Sequence, residues 1–186
     1  GQLKWVFKSP KEPQVAIHWE SSVKFFVDSN IHMSENSRKL IKLCRKSDET
    51  SAQDAIEILK TKLGEVNINA RCSNSGKTAL MIAASLEDEN TALKLVKMLL
   101  EHDANFLRGD RLGLTALHWA ASVGNGEVVR LLIQSGCPKD ILSQSCETAL
   151  HRASRLGHPE VVKILLEEFK SDWKIRNTSH RGAFEV

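Results

Sequence analysis

The stretch "GLTALHWAASVGNGEVVRLLIQSG", residues 113–136, holds two short apolar patterns on either side of a glycine. Leu117, Ala120 and Ala121 recur at the i, i+3, i+4 spacing that forms one face of a helix. A second apolar stripe follows, formed by Val128, Val129, Leu131 and Leu132. Gly124 between the two patterns suits the left-handed conformation that often ends a helix. The stretch therefore predicts two short helices joined by a tight connection.

Two other parts of the chain repeat this pattern. "GKTALMIAASL" begins at Gly76 and "ETALHRASRLG" begins at Glu147, and a helix-like apolar run follows each of them. The matching threonines are Thr78, Thr115 and Thr148, which are spaced by 37 and 33 residues. Self-similarity at a period of this size indicates a solenoid of stacked units.

The sequence "TALHWAA" at residues 115–121 and its copy "TALHRAS" resemble the ankyrin-repeat family, whose unit of 33 residues carries a T-P-L-H-x-A signature. The resemblance covers residues 74–177. It implies an all-α solenoid of helix-turn-helix repeats with β-turn fingers. It also implies hydrogen-bonded pairs that pin each turn onto a helix, namely Thr115 with His118 and Thr148 with His151.

Fainter copies extend the predicted ankyrin-repeat domain to residues 37–186. The repeats are predicted at residues 37–73, 74–110, 111–143 and 144–177, with a truncated fifth at 178–186 that stops inside its first helix. In the first copy, Leu40, Leu43 and Cys44 are predicted to form the buried face of a helix. This copy lacks the threonine-histidine motif, as expected of a terminal capping repeat.

The first clear repeat departs from the other two in length and in one side chain. Its four extra residues lie near "LEDENTA", and we place them between its two helices, as a longer helix end or an acidic loop. Met81 occupies the position that is histidine in the other two repeats. We therefore expect this turn to lack the pin.

Residues 1–36 do not repeat and hold five of the ten aromatic residues of the chain. Their apolar runs "LKWVF", "VAIHW" and "VKFFV" favour strand-like structure. One interpretation is a non-repeat cap that covers the end of the repeat stack. The other is the tail of a neighbouring domain.

Gly76, Lys77 and Thr78 in front of an apolar run look like the end of a phosphate-binding loop. Such a loop needs a further glycine five residues before the glycine of the GKT triplet, because backbone amides must curl around the phosphates. Arg71 occupies that position. The repeat alignment instead assigns Gly76 to a turn and Thr78 to a pin, so no nucleotide is expected here.

No motif in the chain indicates catalysis, a cofactor or a metal. The seven histidines are scattered, and there is no G-x-S-x-G or H-E-x-x-H pattern. The cysteines are widely spaced without zinc-finger intervals, which predicts four reduced thiols. We expect no enzyme activity in this chain, no bound cofactor and no small-molecule substrate.

The charge pattern argues for a protein partner. The 26 lysine and arginine residues are interspersed with the 23 aspartate and glutamate residues, and the net charge is +3. Most nucleic-acid-binding proteins instead concentrate their basic residues on one face. No apolar run reaches the roughly 18 residues of a membrane span, and the first residues lack the apolar core of a signal peptide. We expect a protein or peptide partner, no membrane partner and a cytoplasmic or nuclear location.

The resemblance also implies a binding surface, because ankyrin stacks hold partners on a concave face built from the first helices and the turns. The positions exposed there in the family map onto an apolar set bordered by arginines. The predicted partner-binding residues are Lys77, Ile82, Leu86, Arg111, Leu112, Leu114, Trp119, Ser122, Val123, Ser145, Glu147, Arg152, Arg155 and Leu156. Trp119 has a second interpretation, in which it packs against a neighbouring repeat.

The sequence thus predicts a non-catalytic protein-interaction module that binds a peptide or domain. Two alternatives stay open. In the first, the repeats support a nucleic-acid-binding fold in the N-terminal segment. In the second, they target an enzyme whose catalytic domain lies outside residues 1–186.

Overall fold

The computed structural model describes residues 34–46 and 48–185, and this part of the chain consists of eight α-helices without a β-strand. The helices are α1 (Glu35–Cys44), α2 (Glu49–Thr61), α3 (Ala79–Ala84), α4 (Glu89–Glu101), α5 (Ala116–Val123), α6 (Gly126–Gln134), α7 (Ala149–Arg155) and α8 (Pro159–Lys163). A 3-10 turn at Leu63–Glu65 follows α2, and a π-helical turn at Ile164–Glu168 continues α8. The predicted all-α class is confirmed for the described residues.

The helices pack in two layers. The first helices of the four pairs, α1, α3, α5 and α7, contact one another in chain order, and the second helices, α2, α4, α6 and α8, do the same. Each first helix also packs on the second helix of its own pair. The core therefore runs as one continuous band between the layers.

Small side chains on the first helices let the layers approach closely. Ala83, Ala84, Ala120, Ala121 and Ala153 are all completely buried. Larger side chains fill the space between the layers, including Leu80, Leu95, Leu99, Leu117, Leu132, Leu150 and Leu165. Burial of each such leucine contributes about 1.5–3 kcal/mol to stability, so the apolar pattern read from the sequence holds the stack together.

Polar residues fix where the helices begin. The hydroxyl of Thr78 accepts a hydrogen bond from the backbone N–H of Met81 (3.4 Å) at the start of α3. The carboxylate of Asp88 accepts one from Thr91 (3.1 Å) at the start of α4. Pro159 is the first residue of α8, where its missing N–H costs nothing.

The four extra residues of the first clear repeat lie in its second helix, and our placement between the two helices is wrong. The cap of the second helix comes ten residues after the repeat's threonine in all three clear repeats, at Asp88, Asn125 and His158. Helix α4 has 13 residues, whereas α6 has 9. The connection between the helices is therefore conserved in length, and α4 is longer by about one turn at its C-terminal end.

Helix α1 belongs to the faint first copy, and its predicted buried face is confirmed. Leu40, Leu43 and Cys44 are buried, while the neighbouring basic residues Lys39 and Lys42 are exposed. Burial raises the pKa of the Cys44 thiol to about 12. All four cysteines are free, as the sequence predicts.

Two expectations concern the ends of the chain. At the C-terminal end, residues 181–185 form a turn in place of the expected start of a helix, although Ala183 is completely buried. At the N-terminal end, residues 1–33 lie outside the described part, so the cap, the neighbouring-domain tail and the nucleic-acid-binding fold all stay predictions. None of the described helices is long and apolar enough to cross a bilayer.

Candidate protein-interaction surface

The turn before each of α3, α5 and α7 is a finger closed by backbone hydrogen bonds. The N–H of Cys72 donates to the carbonyl oxygen of Lys77 (2.8 Å), that of Asp110 to Leu114 (2.9 Å), and that of Ser143 to Glu147 (3.0 Å). Gly76 has a φ of 71°, so its predicted role as the turn glycine is confirmed. Positive φ angles also occur at Gly113 (73°) and Cys146 (56°), the corresponding positions of the next two fingers.

The fingers are joined to one another along the stack. The N–H of Gln144 donates to the carbonyl oxygen of Leu112 (3.1 Å), and the N–H of Thr178 donates to that of Ser145 (2.9 Å). A longer contact of 3.5 Å joins Arg111 to Ser75 in the same way. The fingers therefore form a row whose geometry is set by the backbone.

The predicted threonine-histidine pins are confirmed in both repeats that carry them. The backbone N–H of Thr115 donates to Nδ1 of His118 (3.1 Å), so the ring proton lies on Nε2, which donates to the carbonyl oxygen of Glu147 (2.9 Å). His151 makes the same contacts with Thr148 (3.3 Å) and with the carbonyl oxygen of Arg181 (3.3 Å). Each histidine thus pins its own turn and also fastens the next finger.

Met81 cannot make either hydrogen bond, as the sequence predicts, and its side chain is fully buried.

Burial governs the titration of His118. Burial is the largest cause that lowers the pKa of His118 to about 4; the hydrogen bond to Glu147 opposes this change, and the charge of Arg152 adds to it. The ring is therefore neutral near pH 7.

Three apolar members of the predicted surface are buried, so the expected exposure of Ile82, Leu86 and Leu114 is wrong. Their exposed fractions are 5%, 7% and 4%. Leu114 lies inside its finger, where its N–H bonds to the Asp110 carboxylate (3.0 Å). Ile82 and Leu86 belong to the continuous hydrophobic core.

The remaining predicted residues differ in exposure. Leu112 and Leu156 are 63% and 46% exposed. Arg111, Ser145 and Arg155 are also exposed. The half-buried members are Lys77, Trp119, Ser122, Val123 and Arg152. Glu147 was expected at an exposed finger tip and is buried instead.

Trp119 is held by two neighbours, which favours the packing interpretation of this residue. Its indole N–H donates to Oδ2 of Asp110 (3.2 Å), and the ammonium of Lys77 lies 3.1 Å from the ring centroid. Asp110 is itself buried, and its other carboxylate oxygen accepts from the N–H of Leu112 (2.8 Å). The indole ring is thus part of the finger's support, with one face covered by a cation.

The two arginines predicted to border the apolar surface are paired within the fold. Arg155 lies 2.8 Å from the Glu147 carboxylate and Arg152 lies 3.7 Å from it. The Nε–H of Arg152 also donates to the hydroxyl of Ser122 (2.9 Å). Glu147 is buried because it sits beneath these two cations.

The surface formed by the fingers and first helices is called the inner surface below. Around its three fingers it carries five cations and two buried carboxylates, namely Arg45, Lys77, Arg111, Arg152 and Arg155 with Asp110 and Glu147. This set has three more cations than carboxylates. The inner surface is therefore cationic with isolated leucines, where the sequence predicted a continuous apolar strip.

Arg45 and Asp110 are charged inner-surface residues that are missing from the predicted set. Asp110 had a local signal, because an aspartate at the start of a turn often accepts hydrogen bonds from backbone N–H groups two residues on. Arg45 follows α1 in the faint copy, and the sequence "KLIKLCRK" indicated only a solvated helix face. Its guanidinium donates to the sulfur of Cys72 (2.8 Å), 27 residues further along the chain.

Helix pairs stacked in two layers, with fingers joined along one edge, define a solenoid repeat protein. Residues 89–177 match the family described as ankyrin repeats (3 copies). Over this stretch the chain belongs to the ankyrin-repeat family, which confirms the resemblance seen in the sequence.

Curated relatives share short parts of the chain. The human neurogenic locus notch homolog protein 2 is 40% identical over 68 residues, which cover 37% of this chain and 3% of that protein. The neurogenic locus notch homolog protein 1 of Mus musculus is 35% identical over 97 residues, covering 52% of this chain and 4% of that protein. The corresponding Xenopus tropicalis protein is 34% identical over the same length. The chain thus spans only 3–4% of the length of these relatives.

Proposed function

We propose that residues 37–186 form an ankyrin-repeat domain that acts as a non-catalytic protein-interaction module. Its division into four repeats at 37–73, 74–110, 111–143 and 144–177, with a partial fifth, is part of this proposal. The partner is a protein or peptide that lies on the inner surface and contacts the finger tips and the exposed ends of the first helices. Ankyrin repeats typically act in this way.

One observation carries the proposal. Leu112 and Leu156 are exposed on the inner surface, and the backbone around Leu112 is fixed by hydrogen bonds from neighbouring fingers. An exposed leucine on a rigid support can bury its side chain against a partner without ordering a loop first, so little conformational entropy opposes binding. The ion pairs of Glu147 with Arg152 and Arg155 hold the nearby cations in a fixed arrangement.

The test compares two pairs of exposed leucines. The double variant Leu112→Glu and Leu156→Glu changes the inner surface, while Leu107→Glu and Leu142→Glu changes two leucines outside the predicted set that are 47% and 45% exposed. Each protein is immobilised and incubated with lysate, and the bound proteins are quantified by mass spectrometry. We expect a partner that the control pair retains and the inner-surface pair loses.

Retention of every partner by the inner-surface pair would contradict the proposed surface. Because all four leucines are exposed, neither variant should disturb the core, and urea unfolding of both checks this. A partner lost by both pairs to the same extent would point to a nonspecific effect of the added charge and would also count against the proposal.

A further inference from the structure

A depression lies on the inner surface between α1 and α3. It has a volume of about 370 Å³ and is lined by Arg45, Ser75, Lys77, Ile82, Ser85 and Leu86. Ile82 and Leu86 are the apolar part of this lining and form its floor, with exposed fractions of 5% and 7%. The rim carries two cations and two hydroxyl groups. An apolar floor below a cationic rim suits a ligand that is apolar at its centre and anionic at its sides.

The two rim cations differ from the arginines at the other end of the inner surface. Among the residues whose side chains the structure describes, neither Arg45 nor Lys77 forms an ion pair with a carboxylate. Arg45 is held by the sulfur of Cys72, and Lys77 by the ring of Trp119. In contrast, Arg152 and Arg155 share Glu147. Arg45 and Lys77 thus keep their charges at the rim without forming an ion pair there.

The two rim cations also act on each other. Half-burial lowers the pKa of the Lys77 ammonium, Asp110 opposes this change, and the charge of Arg45 lowers the pKa further. Like charges close together in a partly desolvated site raise the free energy of the unbound protein. A carboxylate placed between them would remove this repulsion, and it would gain charge-assisted hydrogen bonds from both groups.

We propose that the depression receives an aliphatic side chain from an acidic partner segment, whose flanking aspartate or glutamate residues pair with Arg45 and Lys77. This inference rests on the proposed function and specifies the chemistry of the partner. It places the main charged contact at the α1–α3 end of the inner surface, away from Arg152 and Arg155. Charge complementarity and the apolar floor together favour a peptide over a nucleic acid, since a phosphate backbone gains nothing from Ile82 and Leu86. Base stacking on Trp119 is also hindered because Lys77 covers one face of the ring.

The experiment is a selection from a displayed library of random peptides on the immobilised protein. We expect the enriched sequences to carry one large aliphatic residue flanked by acidic residues. Binding of the synthesised winners is then measured by fluorescence anisotropy. The double variant Arg45→Gln and Lys77→Met should raise their Kd roughly tenfold, because it removes both rim charges while the Met side chain still covers Trp119.

Two further variants keep this test specific. Lys77→Arg retains the positive charge and should bind within about threefold of the unchanged protein, since a cation at the rim is what the carboxylate needs. Lys97→Met removes one exposed charge from α4, outside the inner surface, and should leave Kd unchanged. Urea unfolding of each variant shows whether it is folded.

Several results would overturn the inference. They are the absence of enriched peptides, enrichment of neutral or basic peptides, and acidic peptides that bind equally well to the Arg45→Gln and Lys77→Met protein. A labelled oligouridine that binds with the same dependence on Arg45 and Lys77 and displaces the peptides would assign the site to nucleic acid instead. The proposed function is tested separately by the double variant Leu112→Glu and Leu156→Glu. A partner that is lost with those leucines while no acidic peptide binds would leave the function standing and refute the acidic segment.

Discussion

At the scale of single residues, the finger tips depend on a left-handed backbone conformation two residues before each threonine. Gly76 and Gly113 adopt it at φ angles of 71° and 73°, and Cys146 adopts it at 56°. For a residue with a Cβ atom this conformation costs about 1–2 kcal/mol, whereas glycine adopts it without that penalty. The third finger is therefore strained where the first two are not.

Replacing Cys146 by glycine should stabilise the protein. We expect Cys146→Gly to raise the free energy of unfolding by about 0.5–1 kcal/mol, since the relief of strain exceeds the extra entropy of the unfolded chain. Urea denaturation followed by circular dichroism measures the change. Cys146→Ala is the matched control, because it removes the thiol but keeps Cβ and the strain, and it should give little change. Equal stabilisation by both variants would contradict the conformational explanation.

His118 makes the stability of the stack depend on pH. Its pKa is about 4 in the folded protein and about 6.5 in an unfolded chain. Between these values the unfolded state binds the proton and the folded state does not, so the free energy of unfolding falls as the pH falls from about 6.5 to about 4. The linkage relation gives a loss on the order of 3 kcal/mol over this window.

The variant His118→Gln should remove this pH dependence. Glutamine at the third helical position can still bond to the backbone of Thr115, but it does not titrate. We expect the variant to be less stable than the unchanged protein at pH 7, because the bond to Glu147 is lost, and the difference to shrink as the pH approaches 4.5. Urea denaturation at several pH values measures both profiles, with the exposed His180→Asn as the control for replacing any histidine. A difference that stays constant with pH would contradict this assignment.

At the scale of helices, the glycines that end α5 and α7 share a left-handed backbone conformation but differ in how closely other atoms pack around them. Gly124 and Gly157 have φ angles of 84° and 73°, and the left-handed conformation predicted for Gly124 is confirmed. A Cβ atom at Gly124 would lie 2.6 Å from Nδ1 of His158, whereas a Cβ atom at Gly157 would have no heavy atom within 4 Å. His158 is fixed there because its Nε2 lies 2.8 Å from the carbonyl oxygen of Ser122.

Alanine at these two positions should therefore have unequal effects. Gly157→Ala should cost about 1 kcal/mol, from the left-handed conformation alone. Gly124→Ala should cost about 2–3 kcal/mol, because it adds a clash in a packed site and displaces His158. Thermal and urea unfolding of the two variants measure the difference. Equal losses would mean that the contact between His158 and the end of α5 does not stabilise the stack.

The length of α4 shows why one element was placed wrongly from the sequence. Four residues are close to one helical turn of 3.6 residues, so an insertion of this size inside a helix keeps the apolar stripe on the same face. Leu95, Val96 and Leu99 remain buried in the longer helix. Periodicity therefore could not distinguish a longer helix from a longer connection. The ten-residue distance from each threonine to the second helix decides it.

At the scale of the whole molecule, the sequence predicted the features that form within a single repeat. The bonds of each pin histidine to its own threonine and the finger glycines depend on neighbours a few positions away, so a repeated motif reveals them. The surface depends on residues from different repeats. Ile82 and Leu86 line one depression together with Arg45, which follows α1, and Arg152 bonds to Ser122, which lies 30 residues earlier. Such contacts follow from the stacking geometry and side-chain conformations, which a motif does not contain.

The cationic character of the inner surface should control how fast an acidic partner associates. The charged residues around its fingers include three more cations than carboxylates. Salt shortens the Debye length from about 14 Å at 0.05 M to about 4 Å at 0.5 M. We expect the association rate constant of an acidic peptide to fall roughly tenfold over this range, with a smaller change in the dissociation rate constant. Stopped-flow fluorescence measures both.

Arg111→Glu and Lys97→Glu change the net charge equally, but only Arg111 lies on the inner surface. Arg111→Glu should therefore slow association several-fold more. Equal slowing by the two variants would show that the total charge of the protein, and not its concentration on the inner surface, guides the encounter.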